Sequence, residues 1–138
     1  MPSDYTYAEN SWGKSFYKVY PTMVTYRSAK AQCESDDSFL AIPRSEAEND
    51  FIAGLIPNEN IWIGINDIEQ EGIFVAVDGS DISYTNWHPE EPSGTGYRGD
   101  DEDGVEIRGY DDQTNWNDKE IHTINKFICS KSVDNWIK

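Results

Sequence analysis

The run Asp100-Asp101-Glu102-Asp103 is the densest concentration of chemically active groups in the chain. These four consecutive acids follow three glycines, Gly94, Gly96 and Gly99, in a segment that opens at Glu91-Pro92-Ser93 and closes at Trp116-Asn117-Asp118. The segment between holds too few apolar residues to form a core strand. Carboxylates packed this densely repel one another, and a cation is the natural way to hold them together. Hard oxygen donors on a Gly-rich loop suit Ca²⁺ better than a softer metal. A second acidic group, Asp67, Glu69 and Glu71, stands in a polar turn upstream. Loops of this length are usually functional or disordered. Paired acids can also serve a glycosidase as acid and nucleophile. Here the acids are too clustered, and none lies in an evident apolar pocket that would raise its pKa, so the chain is read as a non-enzyme.

A scaffold must position these groups, and composition bounds what it can be. A chain of 138 residues fits one domain over 1–138 with a single core. Five Trp, eight Tyr and five Phe supply large surfaces for burial and argue against disorder. The formal net charge of −15 opposes nucleic acid and anionic membranes as partners and permits cations. Cys33 and Cys129 are far apart, and His88 and His122 are not spaced as zinc ligands. The residues alone leave two readings for the cysteines, a pair of unrelated buried thiols or one disulfide. No apolar run approaches a membrane span. Met1-Pro2-Ser3-Asp4 does not read as a signal peptide, so a secreted chain would already have lost one.

Residues 1–11 are polar and expected to be peripheral, and residues 12–20 are aromatic and β-branched, a first strand. Thr25 is an N-cap for a helix whose Tyr26, Ala29 and Cys33 share one face. Phe39 to Ile42 is a short strand stopped by Pro43. Ser45 to Glu48 forms a capping box, opening a second helix with Ala47, Phe51, Ile52 and Leu55 inward and an end by Pro57. Ile61 to Ile65 is a strand buried on both faces, and Phe74 to Val77 is another. Ile82 to Trp87 leads into the acidic loop. Val105-Glu106-Ile107 alternates as a strand should, and Lys126 to Cys129 is the closing strand. Two early helices followed by many short strands indicate an α+β fold.

With these elements in place, seven short motifs fall in a familiar order: Thr25-Tyr26 with Ala29 and Cys33, Trp62 to Ile65, Glu71-Gly72 with Phe74, Tyr84 to Trp87, Glu91 to Ser93, Glu102-Asp103 with Val105, and Trp116 to Asp118. The order resembles that of a C-type lectin-like domain over about residues 12–130. The resemblance implies a double-looped α+β domain with two helices, mostly antiparallel sheets and a long Ca²⁺-binding loop. It implies a Cys33–Cys129 disulfide between helix one and the last strand. The family's usual second bridge is missing, and its positions correspond to Gly104 and Ile121.

The resemblance also implies ligands. Glu91, Ser93, Glu102, Asn117 and Asp118 match the set that holds the sugar-binding Ca²⁺. The proline of this motif is usually cis in the family, which at Pro92 would aim its neighbours at one ion. The loop is longer than common, so Asp100 or Asp101 stands as an alternative to Glu102. Asp67, Glu71, Glu102 and Asp103 match an auxiliary Ca²⁺ site. In such domains two adjacent sugar hydroxyls complete the coordination of the ion, and the ligand side chains hydrogen-bond the same hydroxyls.

Glu-Pro-Asn accompanies mannose-type sugars in the family, and Gln-Pro-Asp accompanies galactose. Glu91-Pro92-Ser93 matches neither and resembles galactose-specific invertebrate lectins of sea-anemone and tunicate type. The implied ligand is therefore a galactose-terminated glycan, with mannose or fucose, or a protein ligand, as alternatives. Tyr97 is the first candidate to pack on the sugar's apolar face, ahead of Tyr110 and His88. Trp62, Trp87 and Trp116 are read as core. Weak single sites need multiplicity, which motivates a homodimer, with Trp136 and Ile137 as candidate contacts. Arg98-Gly99-Asp100 spells an integrin-recognition tripeptide by chance, because Asp100 stands among the expected ligands. The expected location is extracellular.

Overall fold

The computed structural model describes residues 5–10, 13–70, 72–89, 103–109 and 114–132. The elements run β1 (Thr6–Asn10), β2 (Gly13–Val24), α1 (Tyr26–Ser35), β3 (Phe39–Leu40), α2 (Glu46–Leu55), β4 (Ile61–Asn66), β5 (Val75–Ala76), β6 (Gly104–Ile107), β7 (Trp116–Lys119) and β8 (Asn125–Ser132). This is the expected α+β architecture. The strand order is β1-β2-β8-β4-β6-β7, with β3 on β8 and β5 on β4. Among these strands only the β4–β8 pairing is parallel.

The first departure from expectation is β1. Residues 6–10 are not peripheral but pair with β2, from Thr6 opposite Tyr17 to Asn10 opposite Gly13. Ala8 carries the reason, since it is buried in the main core cluster. Pairing supplied by a neighbouring strand overrides a polar local composition. β2 also continues past Tyr20 through Pro21 to Val24, with the register against β8 shifting between Tyr20 and Val24. A strand proline is tolerated at such an irregularity because it has no N–H to leave unpaired.

Thr25 caps α1, its hydroxyl accepting from the Ser28 N–H. Tyr26, Ala29 and Cys33 form the buried face as their spacing predicts. The Cys33 carbonyl accepts from the N–H groups of Asp36 and Ser38 and from the Ser38 hydroxyl, while Asp37 takes φ +56° to turn the chain. The helix end is thereby fixed against β8, where Cys33 and Cys129 form the disulfide, with Cα atoms 5.3 Å apart across a separation of 96 residues.

Ser45 caps α2 by accepting from the Glu48 N–H at 3.1 Å. The return half of the box is displaced by one residue, since Glu48 Oε1 accepts from the Arg44 N–H at 3.0 Å rather than from Ser45. Glu48 Oε2 accepts from the buried Tyr17 hydroxyl at 2.7 Å. Burial pushes the Glu48 carboxyl up, and the Tyr17 and Arg44 bonds work against that shift. The buried residues of α2 are Glu48, Asn49, Ile52 and Ala53, whereas Ala47 is exposed and Phe51 and Leu55 are half-buried. The inward face is rotated from the apolar pattern because two polar side chains have partners waiting in the core.

β4 is buried along its whole length, as expected. Gly64 is required there, because a Cβ would lie 2.4 Å from the Leu40 carbonyl oxygen. Opposite β6 the strand bulges: Ile63 faces Val105, yet Asn66 faces Gly104. The Tyr26 hydroxyl bridges this bulge, with the Ile63 and Ile65 carbonyl oxygens at 3.0 and 3.1 Å. The Tyr26 ring also lies against Gly104, where a Cβ would sit 2.9 Å from Cδ2. Ile121 packs on the same cluster, and its carbonyl accepts from the Tyr26 N–H at 3.1 Å. The two positions of the missing second bridge are thus joined through one tyrosine.

Two stability measurements check this account. Replacing Cys33 and Cys129 together by Ala should cost about 4–5 kcal/mol by loop-closure entropy, read as a lower urea midpoint. Gly104→Ala should cost about 1–3 kcal/mol by overpacking against Tyr26 and Trp62. A Gly104→Ala midpoint equal to that of the parent would contradict the packing of Tyr26 on β6.

Candidate functional site

Strands β6 and β7 carry the described part of the site. They pair antiparallel, with Gly104 opposite Lys119, Val105 opposite Asp118, Glu106 opposite Asn117 and Ile107 opposite Trp116. This register brings Asn117-Asp118 beside the strand that follows Glu102-Asp103 in sequence. Side chains alternate along β7, so Trp116 and Asp118 are buried and Asn117 is half-buried. β7 is the last strand in the sheet order.

Trp116 anchors β7. Its ring is fully buried, and its Nε1 donates to Asn49 Oδ1 on α2 at 2.7 Å. Asn49 then donates through Nδ2 to the Thr114 carbonyl at 3.1 Å and to its hydroxyl at 3.2 Å. The Trp116 N–H donates to the Asn86 carbonyl, and its own carbonyl accepts from the His88 N–H. Trp87 and Tyr84 meet the indole edge-on, with centroids at 5.6 and 5.8 Å. Trp62 and Trp116 are core as expected, whereas Trp87 is half-buried. His88, the weakest of the stacking candidates, is half-buried, with Nδ1 3.0 Å from the Pro89 carbonyl oxygen.

Asn117 is held by a buried acid of β6 to which the sequence reading gives no role. β6 is the strand expected from the alternation, and Glu106 within it is only 2% exposed. Its Oε2 accepts from Asn117 Nδ2 at 3.0 Å and its Oε1 from Asn125 Nδ2 at 2.9 Å. Asn125, at the start of β8, is buried as well. Asp118 is fully buried opposite Val105.

Asp67 and Asp103, both expected in the auxiliary site, are brought together. The β4 bulge ends at Asn66, and the next N–H, from Asp67, donates to the Asp103 carbonyl at 3.0 Å. Asp67 is 1% exposed. Its Oδ2 accepts from the Gly72 N–H at 2.8 Å, and its Oδ1 is buried with no hydrogen-bond partner among the described residues. A buried carboxylate oxygen left this way costs more than the bond it lacks. A cation beside it removes that cost, and the all-oxygen donor set suits Ca²⁺. The residues present therefore fit the ion.

Of the remaining expectations, Glu71, Glu91, Pro92, Ser93, Tyr97, Asp100, Asp101, Glu102, Tyr110, Trp136 and Ile137 lie outside the described residues. Among the described residues no three His, Cys, Asp or Glu side chains cluster as a metal group. Sequence reasoning missed Asn49, Glu106 and Asn125. The one available signal was Glu106 between Val105 and Ile107, a charge in an otherwise apolar strand.

A family model described as the lectin C-type domain matches residues 22–131. The chain is 32% identical to collectin-10 of Mus musculus over 120 residues, covering 84% of this chain and 41% of that protein. It is 37% identical to the mannose-binding protein of Gallus gallus over 100 residues, covering 72% of this chain and 37% of that protein. The chain thus spans about two-fifths of the length of these relatives. Among solved structures, the mouse scavenger receptor C-type lectin carbohydrate-recognition domain superposes with a TM-score of 0.82 at 29% identity, covering 96% of this chain and 98% of the other. Domains of this family typically bind Ca²⁺, and its members are lectins and receptors rather than enzymes. The chain belongs to the C-type lectin domain family.

Proposed function

We propose that this chain is a calcium-dependent lectin domain, spanning 1–138, that binds terminal galactose through sugar hydroxyls shared with the ion. The observation that carries the reading is the β6–β7 register. It fixes Asn117-Asp118 beside the strand that Glu102-Asp103 leads into. When bound, Ca²⁺ supplies coordination positions for two adjacent hydroxyls of a sugar. Asn117 contributes an amide that can ligate through oxygen and donate through nitrogen, and Asp118 contributes a carboxylate that accepts. In this reading Glu91, Ser93 and Glu102 complete the set, and Tyr97 covers the sugar's apolar face. Asp67, Glu71, Glu102 and Asp103 hold a second ion, supported by the unsatisfied Asp67 Oδ1.

The preference for galactose rests on Glu91-Pro92-Ser93, which departs from the mannose-type Glu-Pro-Asn. A mannose-type preference is the second reading, favoured by 37% identity to a protein named for mannose binding. A millimolar monosaccharide site corresponds to only about −4 kcal/mol, so useful avidity needs several copies. A homodimer is the simplest form of that multiplicity. The buried disulfide supports an extracellular setting. No helix among the described residues is long and apolar enough to cross a membrane.

A glycan array in Ca²⁺, repeated in chelator, tests the reading. Galactose-terminated glycans should bind only with Ca²⁺, and Glu91→Ala and Asp118→Ala should each abolish that signal. Binding to mannose or fucose would keep the mechanism and overturn the sugar preference. Calcium-independent capture of a protein, with no glycan bound, would overturn both. Removing Ca²⁺ should also lower the melting temperature, since one ion at ten times its Kd contributes about 1.4 kcal/mol. Superimposable melts in chelator and millimolar Ca²⁺ would count against any bound ion.

A further inference from the structure

Glu106, like Glu48, is a buried acid that the cation sites above do not use. Its partners among the described residues are two neutral amides, Asn117 Nδ2 and Asn125 Nδ2. Its neighbours on β6, Val105 and Ile107, show that an apolar residue is what this strand otherwise accommodates. Taking a carboxylate out of water with no opposing cation is costly, so packing alone does not account for it.

The chemistry of the acceptor does. Both carboxylate oxygens of Glu106 accept, and each amide presents its nitrogen to them. That settles which way the Asn117 amide is turned. Nδ2 faces Glu106, and Oδ1, the atom able to ligate a cation, is left with no hydrogen bond among the described residues. The second hydrogen on Nδ2 remains available to an acceptor. Asn125 plays the matching part from β8, holding the other carboxylate oxygen, so the acid spans β7 and β8 and cannot swing away from Asn117.

We propose that Glu106 is a positioning residue for the calcium site, turning the Asn117 amide so that its oxygen faces the ion. This rests on the reading of Asn117 as a Ca²⁺ ligand. Partners that orient first ligands typically change metal affinity by about 10- to 100-fold when replaced.

The test is calorimetric titration of Ca²⁺ alone into the full chain, Glu106→Gln and Glu106→Asp, with melting temperatures in chelator. Glu106→Gln keeps the shape but has one acceptor oxygen for two amide donors. It should bind Ca²⁺ about 10- to 100-fold more weakly, while its melting temperature in chelator is unchanged or higher because a buried charge is gone. Glu106→Asp keeps the charge and loses reach, and its affinity should fall between the other two. Unchanged Ca²⁺ affinity in both variants, with a lower melting temperature in chelator, would make Glu106 structural only and overturn the proposal. Should Glu106→Gln fail to fold, Glu106→Asp decides, and affinity equal to the parent's would overturn the proposal. Absence of Ca²⁺ binding by the parent chain would instead sink the calcium reading, and the positioning role with it.

Discussion

A carboxylate removed from water must be answered by donors or by a cation, and three of the four buried acids among the described residues show three ways of meeting that demand. Glu48 is answered by a tyrosine hydroxyl and a backbone N–H. Glu106 is answered by two amides. Asp67 receives one backbone N–H on Oδ2, while its Oδ1 is buried with nothing bonded among the described residues. Glu48 joins α2 to β2, and Glu106 joins β6 to β7 and β8. The third lies at the end of the β4 bulge, next to Asp103, with one oxygen unbonded among the described residues. In a chain of net charge −15 with only 11 Lys and Arg, side chains are a poor source of positive charge. On the proposed calcium reading, a divalent ion would supply it.

The same logic explains how the fold manages without a second bridge. A disulfide between the positions of Gly104 and Ile121 would tie β6 to the turn before β8. Here Tyr26 fills that space from the helix side. Its ring occupies the volume a Gly104 side chain would need, its N–H bonds the Ile121 carbonyl, and its hydroxyl meets carbonyls of the β4 bulge. Burial pushes the Tyr26 hydroxyl up, so it remains a donor across all ordinary pH. Glu106 and Asn125 add a second non-covalent link between β6 and β8. Several oriented polar contacts thus stand in for one covalent bond.

What was legible in the sequence follows from this physics. The helix-one face and the buried β4 strand could be read from periodicity, whereas the Cys33–Cys129 pairing and the interest of Asn117-Asp118 came from the order of motifs that resembles the family. Glu106 could not be read, because its burial depends on two asparagines, 11 and 19 residues away, that no local pattern links to it. Asn49 was missed for the same reason: its partner, the Trp116 indole, is 67 residues distant. Ala47 was assigned inward on hydrophobicity, and the polar demands of Glu48 and Asn49 rotated the helix instead. The pairing of Asp67 with Asp103 was legible as shared acidity, but the bulge that brings them together was not.

These contacts divide the labour of recognition. Asn117, Asp118, Glu106 and Asn125 sit on strands whose positions are fixed by Trp116, Asn49 and the β4–β6–β7 ladder. Glu91, Ser93 and Tyr97, on which the sugar preference is argued, lie in the segment between the strands that carry the fold. On the proposed calcium reading, a change among the strand residues would alter support for the ion and so affect every ligand alike. On the same reading, a change at Ser93 or Tyr97 would bear on which hydroxyl geometry is favoured. Specificity can therefore vary at little cost to stability, which is why family membership alone does not determine the sugar bound.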